Sequence, residues 1–263
     1  MRQIALPAGA LALCLFLLPL ILLPGQPAAA HLRVVSLNLC TDQMLVLLAP
    51  GEIAGLSPLA RDPALSAVAD AAAHLPVVRP SAEAVLRLHP SLVLAERYGA
   101  QTVVAALKTL GLRVVMIADP QSFAAIRAAL TRVSKLLGKP ARAALLISQM
   151  DATLSRLPHP AHRQTAILLQ PRGLAAGPDS LAGAVIEAAG YRDAARGGWL
   201  PLERLLADPP DLLILPEARG FPSLATRLLD DPAIARLPRR TVPAAWLMCG
   251  SPFAARAAAA IAP

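Results

Sequence analysis

Aromatic side chains and lysine are scarce in this sequence. Phe, Trp and Tyr make up 3% of its 263 residues and charged residues 16%, and the lysines are Lys108, Lys135 and Lys139. The basic side chains are therefore mostly arginines, which are scattered along the chain and not interleaved with aromatic residues. Because a nucleic-acid-binding surface needs clustered positive charge, we do not expect nucleic acid to be a partner.

Sequence motifs of common enzymes and metal sites are also missing. The chain contains no G-x-S-x-G elbow, no H-E-x-x-H helix, no G-x-G-x-x-G loop and no P-loop. It has no C-x-x-C pair, and its histidines do not cluster in the loops where a ligand is expected. We therefore expect no catalytic residues, no cofactor and no metal ion coordinated by protein side chains.

The one long apolar run lies at the amino terminus. Arg2 is followed by a hydrophobic stretch through Leu23 and then by a small-residue segment that ends at Ala30. This order is typical of a secretory signal peptide, so we predict cleavage after about Ala30 and a periplasmic protein. An uncleaved anchor and lipidation at Cys14 stay open as alternatives. No later stretch reaches the ~18 apolar residues that a spanning helix needs.

After the signal segment, apolar runs of strand length alternate twice with helical segments. A helix predicted from Pro140 to about Leu157 separates the two sets. This alternation predicts an α/β fold of two lobes, each a mostly parallel sheet covered by helices. The expected boundaries are 1–30 for the signal peptide, 31–139 for the amino-terminal lobe, 140–158 for the interlobe helix and 159–263 for the carboxyl-terminal lobe.

An internal repeat supports the two lobes. Segment 81–94 matches segment 201–214, which places Glu83 and Glu203 at equivalent positions 120 residues apart. Each segment has the pattern of a short helix that begins at a glutamate, a proline-marked turn and a buried strand. Chance similarity of two β-α-β units is the alternative explanation of the match.

The loops at the carboxyl ends of the predicted strands are the expected ligand site, because open parallel sheets bind ligands there. Two facing lobes would enclose the ligand in a cleft. Arginines pair with anionic groups and aromatic rings offer a broad contact area, although core packing and surface exposure are the alternatives. The candidate side chains are Arg61, Arg97, Tyr98, Arg172, Trp199, Arg219 and Trp246.

Two cysteines, Cys40 and Cys249, follow the predicted signal peptide, and both lie in candidate cleft loops. Export would place them in an oxidising compartment. Three interpretations stay open: a disulfide between the loops, two free buried thiols, or thiols that contact the ligand. An exported thiol-dependent enzyme that uses Cys40 is a separate alternative.

These features together resemble the periplasmic substrate-binding proteins for vitamin B12 and ferric siderophores, the class III (Fe/B12) group of ABC importers. The most specific match is segment 82–94, with Ser91 where that family usually has aspartate; the second copy has Asp211. The resemblance covers residues 33–262. It implies a class III periplasmic binding protein-like fold, no enzymatic activity, and a metal chelate as ligand: a ferric siderophore, cobalamin or haem.

The same resemblance implies the partners. Glu83 and Glu203 would dock into arginine pockets of an inner-membrane permease, which works with ATPase subunits in an ABC importer. The other interpretation of each glutamate is an ordinary partner of its helix dipole. We expect a monomer. A binding protein for another small solute is the alternative function.

Overall fold

The structure is a computed structural model that describes residues 32–217, 229 and 231–263. The predicted signal peptide, Cys14 and Arg219 lie outside the described residues. Within the described ranges, no helix is both long and apolar enough to cross a membrane.

The amino-terminal lobe is built on four short strands. Its elements in chain order are β1 (Val34–Ser36), α1 (Leu39–Leu48), β2 (Ile53–Gly55), α2 (Ala69–Ala72), α3 (Ala82–Leu86), β3 (Leu92–Glu96), α4 (Gln101–Thr109), β4 (Val114–Ile117) and α5 (Phe123–Leu136). All the strand pairs are parallel, in the order β2-β1-β3-β4. Two helices start where the sequence places a capping serine: the Oγ atoms of Ser81 and Ser122 accept hydrogen bonds from the first turns of α3 and α5.

A helix and a second, mixed sheet follow. The remaining elements are α6 (Pro140–Leu154), β5 (Thr165–Gln170), β6 (Leu174–Ala175), α7 (Leu181–Ala188), β7 (Arg192–Asp193), β8 (Gly198–Trp199), α8 (Leu202–Ala207), β9 (Leu212–Glu217), α9 (Pro232–Ala235), β10 (Arg239–Pro243) and α10 (Phe253–Ile261). Strands β10, β9, β5 and β7 are parallel, whereas β6 and β8 form an antiparallel edge beyond β5. The predicted two-lobed α/β fold is confirmed.

Successive side chains of each strand point to opposite faces of its sheet, so the core consists of one inner cluster and two outer clusters. In β3, Leu92 and Leu94 join the inner cluster, whereas Val93 and Ala95 face the outer cluster of their own lobe. Strands β5 and β9 alternate in the same way. The inner cluster is continuous from one sheet to the other through α5, α6, α7 and α10. Each fully buried leucine contributes about 1.5–3 kcal/mol, so the lobes are held together by a shared core.

Helix α6 connects the two lobes and packs on both α5 and α10. Pro140 occupies its first turn, as predicted. Its start is fastened to the amino-terminal lobe, where Lys139 pairs with Glu52 at 3.0 Å and the Arg142 Nε donates to the Leu47 carbonyl at 2.9 Å. The lobes are thus joined by one helix of about 22 Å.

Candidate functional site

A disulfide joins the two lobes at the carboxyl ends of their strands. Cys40 lies in the first turn of α1, directly after β1, and Cys249 lies in the loop between β10 and α10. Their Cα atoms are 5.2 Å apart although 209 positions separate them in the sequence. The bridge therefore ties the first helix of one lobe to the last loop of the other.

Glu96, the last residue of β3, holds the helix that carries Cys40. Its Oε1 accepts hydrogen bonds from the backbone N–H groups of Cys40, at 2.9 Å, and Thr41, at 3.3 Å. These are two of the N–H groups that a helix N-terminus leaves without internal partners. Burial raises the pKa of Glu96, the Cys40 hydrogen bond opposes that rise, and Asp119 adds to it by charge repulsion.

The loop after β4 reaches across to the carboxyl-terminal lobe. The Gly250 N–H donates to Asp119 Oδ1 at 3.3 Å, and the Leu181 N–H at the start of α7 donates to Gln121 Oε1 at 3.2 Å. A Cβ at position 250 would lie 2.1 Å from the Pro120 carbonyl oxygen. Only glycine allows the two backbones to approach so closely, so the lobes meet tightly at this edge.

Two cavities lined by described residues lie between the lobes near this junction. The larger, of about 200 Å³, lies between segment 63–70 of the amino-terminal lobe and the ends of β9 and β10, with Asp70, Glu217 and Trp246 among its lining. The smaller, of about 110 Å³, is lined by the loop after β4, the end of β5, the start of α7 and residues 247–248. Both lie at the carboxyl ends of strands, where the alternating fold places ligands.

Asp42 anchors the segment that leads to the larger cavity. It is fully buried in α1, where its carboxylate accepts from the Ser57 N–H at 3.0 Å and from the Ser57 hydroxyl at 2.5 Å. Burial raises the pKa of Asp42 to about 7, against the opposing effect of hydrogen bonds that include those from Ser57. Asp42 thereby fixes the chain after β2 to the helix that bears the disulfide.

The aromatic candidates occupy three different places. Trp246 is half-buried and lines the larger interlobe cavity. Tyr98, 76% exposed, lies in the loop after β3, where its carbonyl accepts from Asn38 Nδ2 at 3.1 Å. Trp199, 71% exposed, lines a depression of about 540 Å³ made by carboxyl-terminal residues alone. The structure therefore does not place these three rings around one cavity.

The arginine candidates are not gathered around the interlobe cavities either. The Arg61 guanidinium donates to the carbonyls of Ala72, at 3.3 Å, and Leu75, at 2.5 Å, and so braces the chain beside α2. Arg97 and Arg172 are exposed, and neither lines an interlobe cavity. Arg219 lies outside the described residues.

The cavity walls contain acids and amides that are not among the candidate ligand side chains, although Glu217 begins one of the loops predicted to line the cleft. Asp70, Asp119, Gln121, Gln170 and Glu217 line the interlobe cavities. Glu217 ends β9 and Asp119 follows β4, so their position at strand ends was the signal that could have found them. They were missed because the candidate ligand residues were restricted to arginines and aromatic residues.

Glu83 and Glu203 are exposed residues in the first turns of α3 and α8. Neither forms an ion pair with another described residue. The two short helices precede β3 and β9, in keeping with the repeat. Elsewhere in the described ranges, no three His, Cys, Asp or Glu side chains are arranged to hold a metal ion.

A comparison with protein families identifies the chain. The model of the periplasmic binding protein family matches residues 34–238, which include the first sheet, the connecting helix and every strand of the second sheet except β10. This chain belongs to that family. The predicted resemblance is thereby confirmed, and the interlobe cavities of this binding protein lie where the two lobes of its fold meet. No curated protein matches the chain by sequence.

Solved structures share the fold of this binding protein at low sequence identity. The haem-binding protein HutB of Vibrio cholerae aligns with a TM-score of 0.72 at 17% identity, over 88% of this chain and 97% of that one. The haem-binding protein RhuT of Roseiflexus sp. RS-1 aligns with a TM-score of 0.67 at 23% identity, over 87% and 95%. A possible iron-binding protein of Staphylococcus epidermidis aligns with a TM-score of 0.68 at 19% identity, over 87% and 95%.

Proposed function

We propose that this protein is the periplasmic solute-binding subunit of an ABC importer, and that it captures a metal chelate between its lobes. The observation that carries the proposal is the family match over residues 34–238, which reaches into both lobes, combined with cavities at the facing strand ends. Two of the similar structures are described as haem-binding and a third as a possible iron-binding protein. These descriptions support haem or another iron chelate as the ligand, whereas cobalamin rests on the sequence resemblance alone.

The protein makes or breaks no bond in this proposal. Family members are solute-binding proteins, and in the structure the sulfur of Cys40 is bonded to Cys249, so it is not a free nucleophile. The shared core and the single helix α6 favour limited opening of the cleft between the lobes.

Calorimetric titration with haem, cyanocobalamin, a ferric hydroxamate and a ferric catecholate tests the ligand class. We expect at least one of them to bind with a Kd in the micromolar range or below. If none of the four binds and another small solute does, the chelate assignment is wrong.

Docking to the permease through Glu83 and Glu203 is the second part of the proposal. Both carboxylates are exposed and free of described ion-pair partners, and charge-assisted bonds to arginine fix orientation well. Glu83→Arg combined with Glu203→Arg should keep chelate affinity unchanged and abolish uptake through the cognate importer. Normal uptake by this variant would reject the docking role.

The third part of the proposal concerns the site of signal-peptide cleavage, the lobe boundaries and the oligomeric state. We infer cleavage after about Ala30, a lobe over 31–139, a connecting segment over 140–158, a second lobe over 159–263, and a monomer in solution. Sequencing the amino terminus of the exported protein should find His31 first, and its mass in solution should equal one chain. A retained amino terminus or an acylated Cys14 would favour the anchored alternatives.

A further inference from the structure

The interlobe cavities are acidic although the chain as a whole is basic. The formal net charge is +8, yet the charged side chains that line the larger cavity are Asp70 and Glu217, and the one that lines the smaller is Asp119. No lysine, arginine or histidine of the described residues lines either cavity. Among the described residues, the positive charges therefore lie away from these walls.

The two carboxylates of the larger cavity come from opposite lobes. Asp70 lies in α2, Glu217 ends β9, and the Trp246 indole contributes to the same lining. Neither carboxylate forms an ion pair with a described residue. A ligand between the lobes thus meets negative charge from both sides and an aromatic ring beside it.

Two neutral polar side chains in the smaller cavity, Gln121 and Ser180, already form hydrogen bonds within the protein. Gln121 Oε1 accepts from the Leu181 N–H and Gln121 Nε2 donates to Asp119 Oδ2 at 2.7 Å. The Ser180 hydroxyl accepts from the Gly183 N–H and donates to the Gly177 carbonyl at 2.5 Å. Asp119 of this cavity also accepts from the Gly250 N–H and from Gln121 Nε2, so the charged acceptors that the described residues leave for a ligand are those of Asp70 and Glu217 in the larger cavity.

We propose that this cleft selects a chelate whose periphery donates N–H hydrogen bonds and carries no negative charge. The inference rests on the proposed function and specifies its ligand class. Carboxylates bind N–H donors through strong charge-assisted bonds, and they repel the carboxylates or catecholates of an anionic chelate. An indole face adds attraction for a cationic group. The matching chemistry is found in carboxamide side chains and in protonated amines.

The expected arginine clamp for an anionic chelate is not built from the described candidates. Arg61 is engaged with backbone carbonyls, and Arg97 and Arg172 do not line the interlobe cavities. Arg219, which lies outside the described residues, is the remaining candidate.

The experiment compares four chelates by calorimetry: dicyanocobinamide, which carries carboxamides; ferrioxamine B, which carries a protonated amine; haem, which carries two propionates; and a ferric tris-catecholate. We expect dicyanocobinamide or ferrioxamine B to bind at least about tenfold more tightly than haem and the catecholate. Raised salt concentration distinguishes the two kinds of N–H donor, because it weakens binding of the charged amine and leaves carboxamide binding nearly unchanged.

Substitutions locate the effect. Asp70→Asn combined with Glu217→Gln keeps the side-chain shapes, and we expect it to weaken the favoured chelate about 10- to 100-fold and to narrow its advantage over haem. The matched control is Asp151→Asn with Glu187→Gln, which removes two carboxylates that do not line the interlobe cavities. The control should change the affinity for each chelate less than twofold.

Three results would overturn the inference. Tightest binding of haem or the catecholate would reject the charge preference and leave the proposed function standing, and loss of that binding in Arg219→Ala would assign it to this arginine. Equal effects of the cavity pair and the control pair would also reject it. Binding of none of the four chelates would reject the proposed function, and the inference with it.

Discussion

Cys40 and Cys249 join the first helix of the amino-terminal lobe to the last loop of the carboxyl-terminal lobe. The bridge closes a loop of about two hundred residues, and it lies beside the Glu96 carboxylate that holds the same helix. It is the one covalent tie, besides the main chain, among the described residues of the two lobes.

Removing this disulfide should destabilise the protein. For the Cys40→Ser and Cys249→Ser double variant, we expect the free energy of unfolding to fall by about 2–4 kcal/mol, because the unfolded chain regains the freedom that the cross-link removes. Urea unfolding of the chain beginning at His31 measures the change. Thiol titration of the unfolded parent chain beginning at His31, without reductant, should detect no thiol. Two reactive thiols in that parent chain would contradict the bridge.

Gly250 should tolerate no side chain. Gly250→Ala places a methyl group 2.1 Å from the Pro120 carbonyl oxygen, so the lobes must separate or the loop must shift. We expect a loss of about 1–3 kcal/mol in the free energy of unfolding. The control is Gly51→Ala, whose added Cβ has no neighbour within 4 Å. Equal free energies of unfolding for the two variants would show that the lobe junction accommodates the added methyl group without loss of stability.

Asp42 should make stability depend on pH between about 4 and 7. Burial raises the pKa of Asp42 from its ordinary value of 3.8 to about 7, so in this window the folded state keeps a proton that the unfolded state has lost. Stability therefore falls as the pH rises through the window, by the linkage of proton binding to folding.

Asn at position 42 imitates the protonated acid and can keep both hydrogen bonds to Ser57. Asp42→Asn should gain at least about 1 kcal/mol relative to the parent protein when the pH changes from 5 to 8. Urea unfolding of both proteins at the two pH values measures this difference. Parallel pH profiles would show that Asp42 is ionised throughout.

The two tryptophans should respond differently to ligand. They are the only ones in the chain, and Trp246 lines the interlobe cavity whereas Trp199 lines the depression of the carboxyl-terminal lobe. Fluorescence titration with the chelate that binds most tightly by calorimetry should show quenching of tryptophan emission. This quenching should persist in Trp199→Phe and disappear in Trp246→Phe. The reverse pattern would place the ligand at Trp199 and away from the interlobe cavity.

Much of the fold was predictable because strand and helix patterns are local. Apolar runs, capping serines, Pro140 and the repeat around Glu83 and Glu203 indicated two α/β lobes joined by one helix. The β6–β8 edge was missed because its two-residue strands have no periodicity to detect. The signal peptide, the docking glutamates and the ligand residues stay predictions.

The cleft could not be derived in the same way, because its walls come from segments far apart in the chain. Asp70, Glu217 and Trp246 meet in one cavity, whereas Trp199 and Arg61, which local sequence placed in cleft loops, lie elsewhere. Local side-chain pattern is enough to specify which segments become strands and helices and which loops follow them. Which loops face each other, and hence the acidic lining of the cavities, depends on how the shared core orients the two sheets.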